Sequence, residues 1–208
     1  MSSFLKFTSS LLISGAIALS TGLAANAANA AETVRVRGKI ESFQGATLVI
    51  KTREGEVVKI ALKDGWKPSS LAKASVDDIK AGDFVGVTSI PTTDGKNGAL
   101  EVLIFPASMK GTGEGSYAWD LQPNSTMTNA TVANAVKSVN GHSLTLTYKG
   151  GEKVISIADG TPIVTTAPAT EADLKAGATV FVPSQKADDG TLSSSRVVVG
   201  KNGVEPPM

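Results

Sequence analysis

The chain contains the same unit twice, and that duplication restricts the folds open to it more than any other feature. Residues 33 to 105 align with 129 to 199. At an offset of 96, Gly45, Leu48, Gly55, Glu56 and Val58 meet Gly141, Leu144, Gly151, Glu152 and Val154. After a one-residue deletion, Asp64-Gly65 meets Asp159-Gly160, and DIKAGDFVGV (Asp78 to Val87) meets DLKAGATVFV (Asp173 to Val182). Asp94-Gly95 then meets Asp189-Gly190, and Val102 meets Val197. Glycines, charges and apolar positions agree together, which shared composition does not produce, so each copy counts as one folding unit.

The periodicity within a copy is that of strands. Val34, Val36, Gly38 and Ile40 alternate with Arg35, Arg37 and Lys39, which sends one face to a core and the other to water. Leu48 and Ile50 follow, then Val58, Ile60 and Leu62, with Gly45 and Glu54-Gly55 marking turns. Strands beginning near Phe84 and Leu100 complete a set of about five, the size of a small barrel. The second copy supplies Val132 to Val139, Leu144 to Tyr148, Val154 to Ile157, Val180 to Pro183 and Arg196 to Val199. Between the third and fourth strands, Ser75 and Thr170 each stand before acidic residues, and Gly82 and Gly177 follow. That pattern predicts one short capped helical turn per copy, ended by a left-handed glycine. The expected architecture is all-β: two tandem OB-like barrels, residues 33–105 and 129–199, joined by an ordered linker 106–128 and followed by an extended tail 200–208.

The order of three strands, a helical turn and two strands resembles the OB-fold. A loose pattern, a Gly-Lys-Ile-type first strand, an Asn-Gly or Gln-Gly hairpin and Asp-Leu-Lys-x-Gly before a Val-rich strand, fits Gly38 to Gly45 and Asp78 to Val87, and again Asn134 to Gly141 and Asp173 to Val182. In these motifs the chain resembles domain-of-unknown-function family 5666, a group of bacterial exported proteins, over both copies. Met109 to Val132 and Val198 to Met208 are similar to a subgroup labelled "metal ABC transporter permease". The label implies an accessory role in metal-ion handling, whereas a permease needs several spanning helices that residues 31–208 do not contain.

Residues 1–30 read as a signal peptide: Lys6, an apolar run from Leu11 to Leu23, then Ala-Asn-Ala twice, with cleavage expected after Ala30 or Ala27. The run is shorter than the roughly 20 residues of a membrane span. The expected location is the periplasm or the exterior, without a lipid anchor, because the chain has no Cys. Removing residues 1–30 takes away Lys6 and no acidic residue, which leaves equal numbers of each sign. Nucleic acid is therefore not an expected partner. An envelope protein or polymer is, with no membrane insertion after cleavage.

Few residues offer chemistry. The one histidine, His142, is expected at an exposed turn and has Ala46 as its counterpart. One His and no Cys predict no zinc, copper or iron site, and no cofactor is called for. Asp188-Asp189-Gly190 lacks calcium-loop spacing and reads as a turn. No nucleophile elbow is present, and Gly111, Gly113 and Gly115 lack the helix and Lys-Ser/Thr of a phosphate loop, so the sequence supports no enzyme.

The segment that is not repeated is the most informative one. Residues 106–128 exceed the ordinary length of an unstructured loop, and after Lys110 to Gly115 they gather Tyr117, Trp119, Leu121 and Met127. Aromatic groups stabilise by burial, so this segment should lie against the seam between the barrels. Two roles stay open: Trp119 and Leu121 hold the barrels together with Asp120 capping a turn, or Tyr117 and Trp119 line a cleft as stacking faces with Asp120 as a polar anchor. Trp66, whose counterpart is Thr161, either covers the end of the first barrel or marks a binding edge. A non-catalytic binding or assembly protein is the expected function.

Overall fold

The computed structural model describes residues 32–138 and 141–206. The expected signal peptide and its cleavage positions, Asn140 and Met208 lie outside those residues. The described residues form twelve strands: β1 (Glu32–Gln44), β2 (Thr47–Thr52), β3 (Val57–Lys73), β4 (Phe84–Pro91), β5 (Asn97–Ile104), β6 (Gly115–Ala118), β7 (Thr126–Ser138), β8 (Gly141–Tyr148), β9 (Gly151–Ile157), β10 (Ile163–Pro168), β11 (Thr179–Lys186) and β12 (Leu192–Val199). Among the described residues helical geometry is confined to three 3-10 turns, and no described helix is long and apolar enough to cross a membrane.

The strands close into rings that ignore the repeat boundaries. β1, β2 and β3 of the first copy are completed by β11 and β12 of the second: β1 pairs with β11, β11 with β12, and β12 runs parallel to β3. This first ring is a closed five-stranded barrel. Conversely, β7, β8 and β9 of the second copy are completed by β4 and β5 of the first, with β4 against β7 and a single parallel bridge, Gly98 to Ser156, between β5 and β9. Neither of the expected units, 33–105 or 129–199, is therefore a barrel by itself. The cause is visible in β3. Its 17 residues extend roughly 55 Å at the rise of a strand, far more than a five-stranded ring spans. The strand carries the chain out of the first ring and delivers β4 to the second.

Where the copies cross, the second half of β3 meets β10 antiparallel, with Ser69 opposite Pro168, Leu71 opposite Thr166 and Lys73 opposite Val164. Ser69 is the repeat counterpart of Val164, and Lys73 that of Pro168, so the pairing is self-complementary about Leu71 and Thr166. That is the logic of a two-fold interface, held within one chain. The second copy breaks the corresponding long strand into β9 and β10 at Ala158 to Pro162, where the Thr161 N–H turns back to the Ala158 carbonyl and Pro162 has no N–H to offer a ladder.

Two expectations about register change. In the first ring Val36 faces Val182 and Ile40 faces Ile50; in the second Thr128 faces Val87 and Val132 faces Leu146, with a bulge after Ile40 and after Val132. The counterpart of Ile40 is therefore Val132, not Val136 as the sequence alignment has it. The additional residues lengthen the β7–β8 hairpin, through Lys137 opposite His142 and Ser138 opposite Gly141. His142 consequently sits in a strand rather than at an exposed turn; its side chain is 18% exposed, with Nε2 3.9 Å from Asp77 Oδ1.

Each ring has its own core. Val36, Ile40, Leu48, Ile50, Ile60, Leu62, Val180, Val182, Val197 and Val199 fill the first, and Val85, Val87, Val102, Val132, Leu144, Leu146, Ile155 and Ile157 the second. The 3-10 turns plug them: Ile79, after Val76–Asp78, enters the second core, and Leu174, after Glu171–Asp173, the first. Both turns carry a capping box. Asp78 Oδ2 accepts from the Ser75 N–H at 2.7 Å and Asp173 Oδ2 from the Thr170 N–H at 2.9 Å. A third cluster, Leu71, Leu103, Val164, Phe181, Val198 and Val204, lies between the rings. Val204 reaches it because Asn202 and Gly203, both at positive φ, turn the tail back so that Lys201 bridges to Val204. The expected extended tail is in this part a folded hairpin.

Candidate functional site

The unrepeated segment is ordered by backbone pairing. β6 adds to the edge of β7, with Tyr117 opposite Met127, and the chain returns through a turn in which the Trp119 N–H donates to the Ser125 carbonyl at 2.8 Å. Ser125 Oγ donates back to the Trp119 carbonyl at 3.0 Å, and Asn124 takes the left-handed conformation (φ 62°) that Asn tolerates in turns. This hairpin delivers Tyr117 and Trp119 to the space between the rings.

Trp119 packs against the inter-ring cluster and meets Tyr117 edge to face at 6.0 Å. Arg35 of β1 lies over the indole at 4.0 Å, a cation–π stack, and Arg37 lies over the Phe181 ring at 5.1 Å. Asp120 ties these cations down. Arg37 Nη2 donates to Asp120 Oδ1 at 2.8 Å, and Arg35 Nη1 is 3.5 Å from Oδ2. Partial burial pushes the Asp120 carboxyl up, but the Arg37 hydrogen bond and both guanidinium charges outweigh it and hold the carboxyl below its ordinary value. Burial raises the Tyr117 phenol, against a weaker pull from Arg35. Asn129 Nδ2 donates to Tyr117 Oη and to the Thr112 carbonyl, each at 3.2 Å.

These groups border a cavity of about 670 Å³ on the two-fold between the rings. Leu71, Leu103, Phe105, Met109, Met127, Phe181 and Val198 form much of its wall, Tyr117 and Trp119 one side, and Arg35, Lys67 and Arg196 contribute charge. Among the described residues no carboxylate lines it. Its size is that of a small-molecule site. Gly86 widens it: a Cβ there would stand 2.8 Å from Asn129 Oδ1 and 3.1 Å from Phe105, closer than packing permits. Trp119 Nε1 and Asn129 Oδ1 are buried without a hydrogen-bond partner, an arrangement costing on the order of 1–3 kcal/mol each.

Of the four residues singled out from sequence, the structure brings three together. Tyr117 and Trp119 line the cleft. Asp120 stands behind it, its carboxylate engaged by Arg35 and Arg37. Trp66 is elsewhere, packed on the first ring's core with Phe43 edge to face at 5.6 Å. Sequence reasoning missed Arg35, Arg37, Gly86, Asn129 and Phe181. One signal was available: the repeated decapeptides differ at Gly86 and Phe181, a change of side-chain volume that a shared core role would not tolerate.

Glu101, on β5, has 2% of its surface exposed and neither carboxylate oxygen has a hydrogen-bond partner. Burial pushes its pKa up to about 8 against the weaker pull of Arg37 and Arg53. Among the described residues, no group of three or more His, Cys, Asp or Glu side chains converges as a metal site would require. No family model, no curated protein and no solved structure matches the chain.

Proposed function

We propose that the protein is an exported, non-catalytic binding protein of the bacterial cell envelope that holds its ligand or partner in the cleft between two OB-like barrels. The OB assignment is supported by ring order. In each ring three antiparallel strands are followed by a parallel neighbour, giving the order β1-β2-β3-β12-β11 and β7-β8-β9-β5-β4. Export is supported by the leader-like first thirty residues, and kinship with family 5666 by the motifs present in both copies. Oligonucleotide binding does not follow from such a fold, because function resides in the site and not in the topology.

One observation carries the binding role: the apolar cleft is walled by a segment that the duplication does not supply, with Tyr117 left 39% exposed beside it. A linker needed only to connect the copies would not have to line a cavity. Filling the cleft with Ala167→Trp tests this. The wild-type chain should retain an envelope component through native purification, identified by mass spectrometry, and A167W should lose it at unchanged melting temperature. Equal retention by both proteins would overturn the cleft as the site.

A further inference from the structure

The charge at the rim of the cleft defines what it takes. Lys67 of β3 and Arg196 of β12 stand opposite each other in the parallel pair that closes the first ring, and both line the cleft. Like charges directly across a strand pair repel, and sheets ordinarily avoid the arrangement. Among the described residues neither has an ion-pair partner: the carboxylates that form ion pairs are committed to Arg35, Arg37, Lys96, His142, Lys186 and Lys201. Arg35 adds a third cation on the same wall, balanced by Asp120 from behind. Two unpaired cations at one edge of a cavity that contains no acid describe a site for an anion. The remainder of the wall is mainly apolar, typified by Leu71, Leu103, Met109, Met127 and Val198, with the hydroxyls of Ser69, Thr112, Thr166 and Ser195 set among them. A saccharide would leave most of its hydroxyls unpartnered there, at the cost of desolvating each. Asn129, the one side-chain amide among the described lining residues, has spent its N–H groups on Thr112 and Tyr117 and keeps only its Oδ1 as a free acceptor.

We propose that the cleft binds an amphipathic anion, an acyl chain lying along the inter-ring cluster with its acidic headgroup between Lys67 and Arg196. This rests on the cleft being the binding site, as proposed above, and adds the ligand's class. Methionines suit such a ligand, because their unbranched, polarisable side chains adjust to a flexible chain. The interaction weakens with salt, since the headgroup is held at an exposed rim where counterions screen it.

The test titrates the full chain with dodecanoate, dodecyl phosphate and 1-dodecanol below their aggregation concentrations, following Trp119 fluorescence and calorimetric heat. Both anions should bind, and the alcohol about tenfold more weakly, the scale expected for two exposed charge contacts. The double variant Lys67→Gln, Arg196→Gln should bring the anions down to the alcohol, and A167W should abolish all three. A preference for one anion tells a carboxylate headgroup from a phosphate. If the alcohol binds as well as the anions and the double variant changes nothing, the anion assignment is wrong while the cleft stands. If none of the three binds but A167W still loses the envelope component, the ligand class is wrong and the site is right. If none binds and A167W has no effect on retention, both fall.

Discussion

In the first ring Phe181 stands beside Arg37 on the face turned towards the two-fold; in the second, the same two positions hold Gly86 and Asn129. The interiors of the rings differ far less. Leu48 and Ile50 in one answer to Leu144 and Leu146 in the other, and Val180 and Val182 to Val85 and Val87. Glu101, buried, and Arg196, exposed at the cleft rim, form another mismatched pair. Two copies of one unit keep what closes a barrel and change what lies between barrels. A symmetric face would meet its own copy and fill the space; replacing Phe by Gly on one side leaves a cavity, and the unrepeated hairpin carrying Trp119 covers part of it.

The largest effect belongs to Phe181. Phe181→Ala should destabilise the chain by about 4 kcal/mol in urea unfolding, the scale for emptying a packed aromatic site, while opening the cleft on its filled side. A loss below about 1 kcal/mol would mean that the filled face carries no more load than the open one. Glu101 comes next. Its folded pKa lies above its unfolded one, so between about pH 4.5 and 8 the folded state binds more protons and stability falls as pH rises. The loss across that window should be roughly 4 kcal/mol. Glu101→Gln should match the wild type in acid and exceed it above pH 8, with a flat profile between. A wild-type profile already flat there would remove the contrast with Arg196. Asp120→Asn should have the smallest effect, about 1 kcal/mol given its exposure. Its carboxyl is held below the ordinary value, so its contribution is complete above the ordinary carboxylate pKa and disappears as pH falls through the lowered one. The readout specific to its role is Trp119 fluorescence, which should shift as Arg35 is released from the indole.

Much of the fold could be read from the sequence, and the part that could not has a physical reason. Alternation placed the barrel strands, and the helical turns capped by Ser75 and Thr170 were evident from the acidic residues that follow each of them. Exchange of strands was hidden because β4 and β11 follow the same Lys-Ala-Gly and place their core valines alike, Val85 and Val87 answering to Val180 and Val182, so periodicity cannot tell which copy each one pairs with. Connectivity decides, through the length of β3, which continues through Gly65 although that residue takes a positive φ, of 73°. β10 went unseen because its hydrophobic pattern is short and flanked by Pro162 and Pro168. For the site, Tyr117 and Trp119 stood out by composition. Arg35 and Arg37 did not, since alternation assigns them to water, where Trp119 and Asp120 of the unrepeated hairpin in fact cover them.

Each ring is built from both copies, and the Cys-free chain allows this to be measured directly by engineered disulfides. Thr33 and Gln185 are register partners on β1 and β11, with Gln185 Nε2 donating to Thr33 Oγ1 at 3.0 Å. The variant T33C/Q185C should oxidise within a monomer to a single faster-migrating species with a raised melting temperature. The variant T33C/I90C, which would bridge β1 to β4 if each copy closed its own barrel, should remain reduced. The opposite pattern, with T33C/I90C bridged and T33C/Q185C free, would contradict the exchange and with it the cleft on the two-fold.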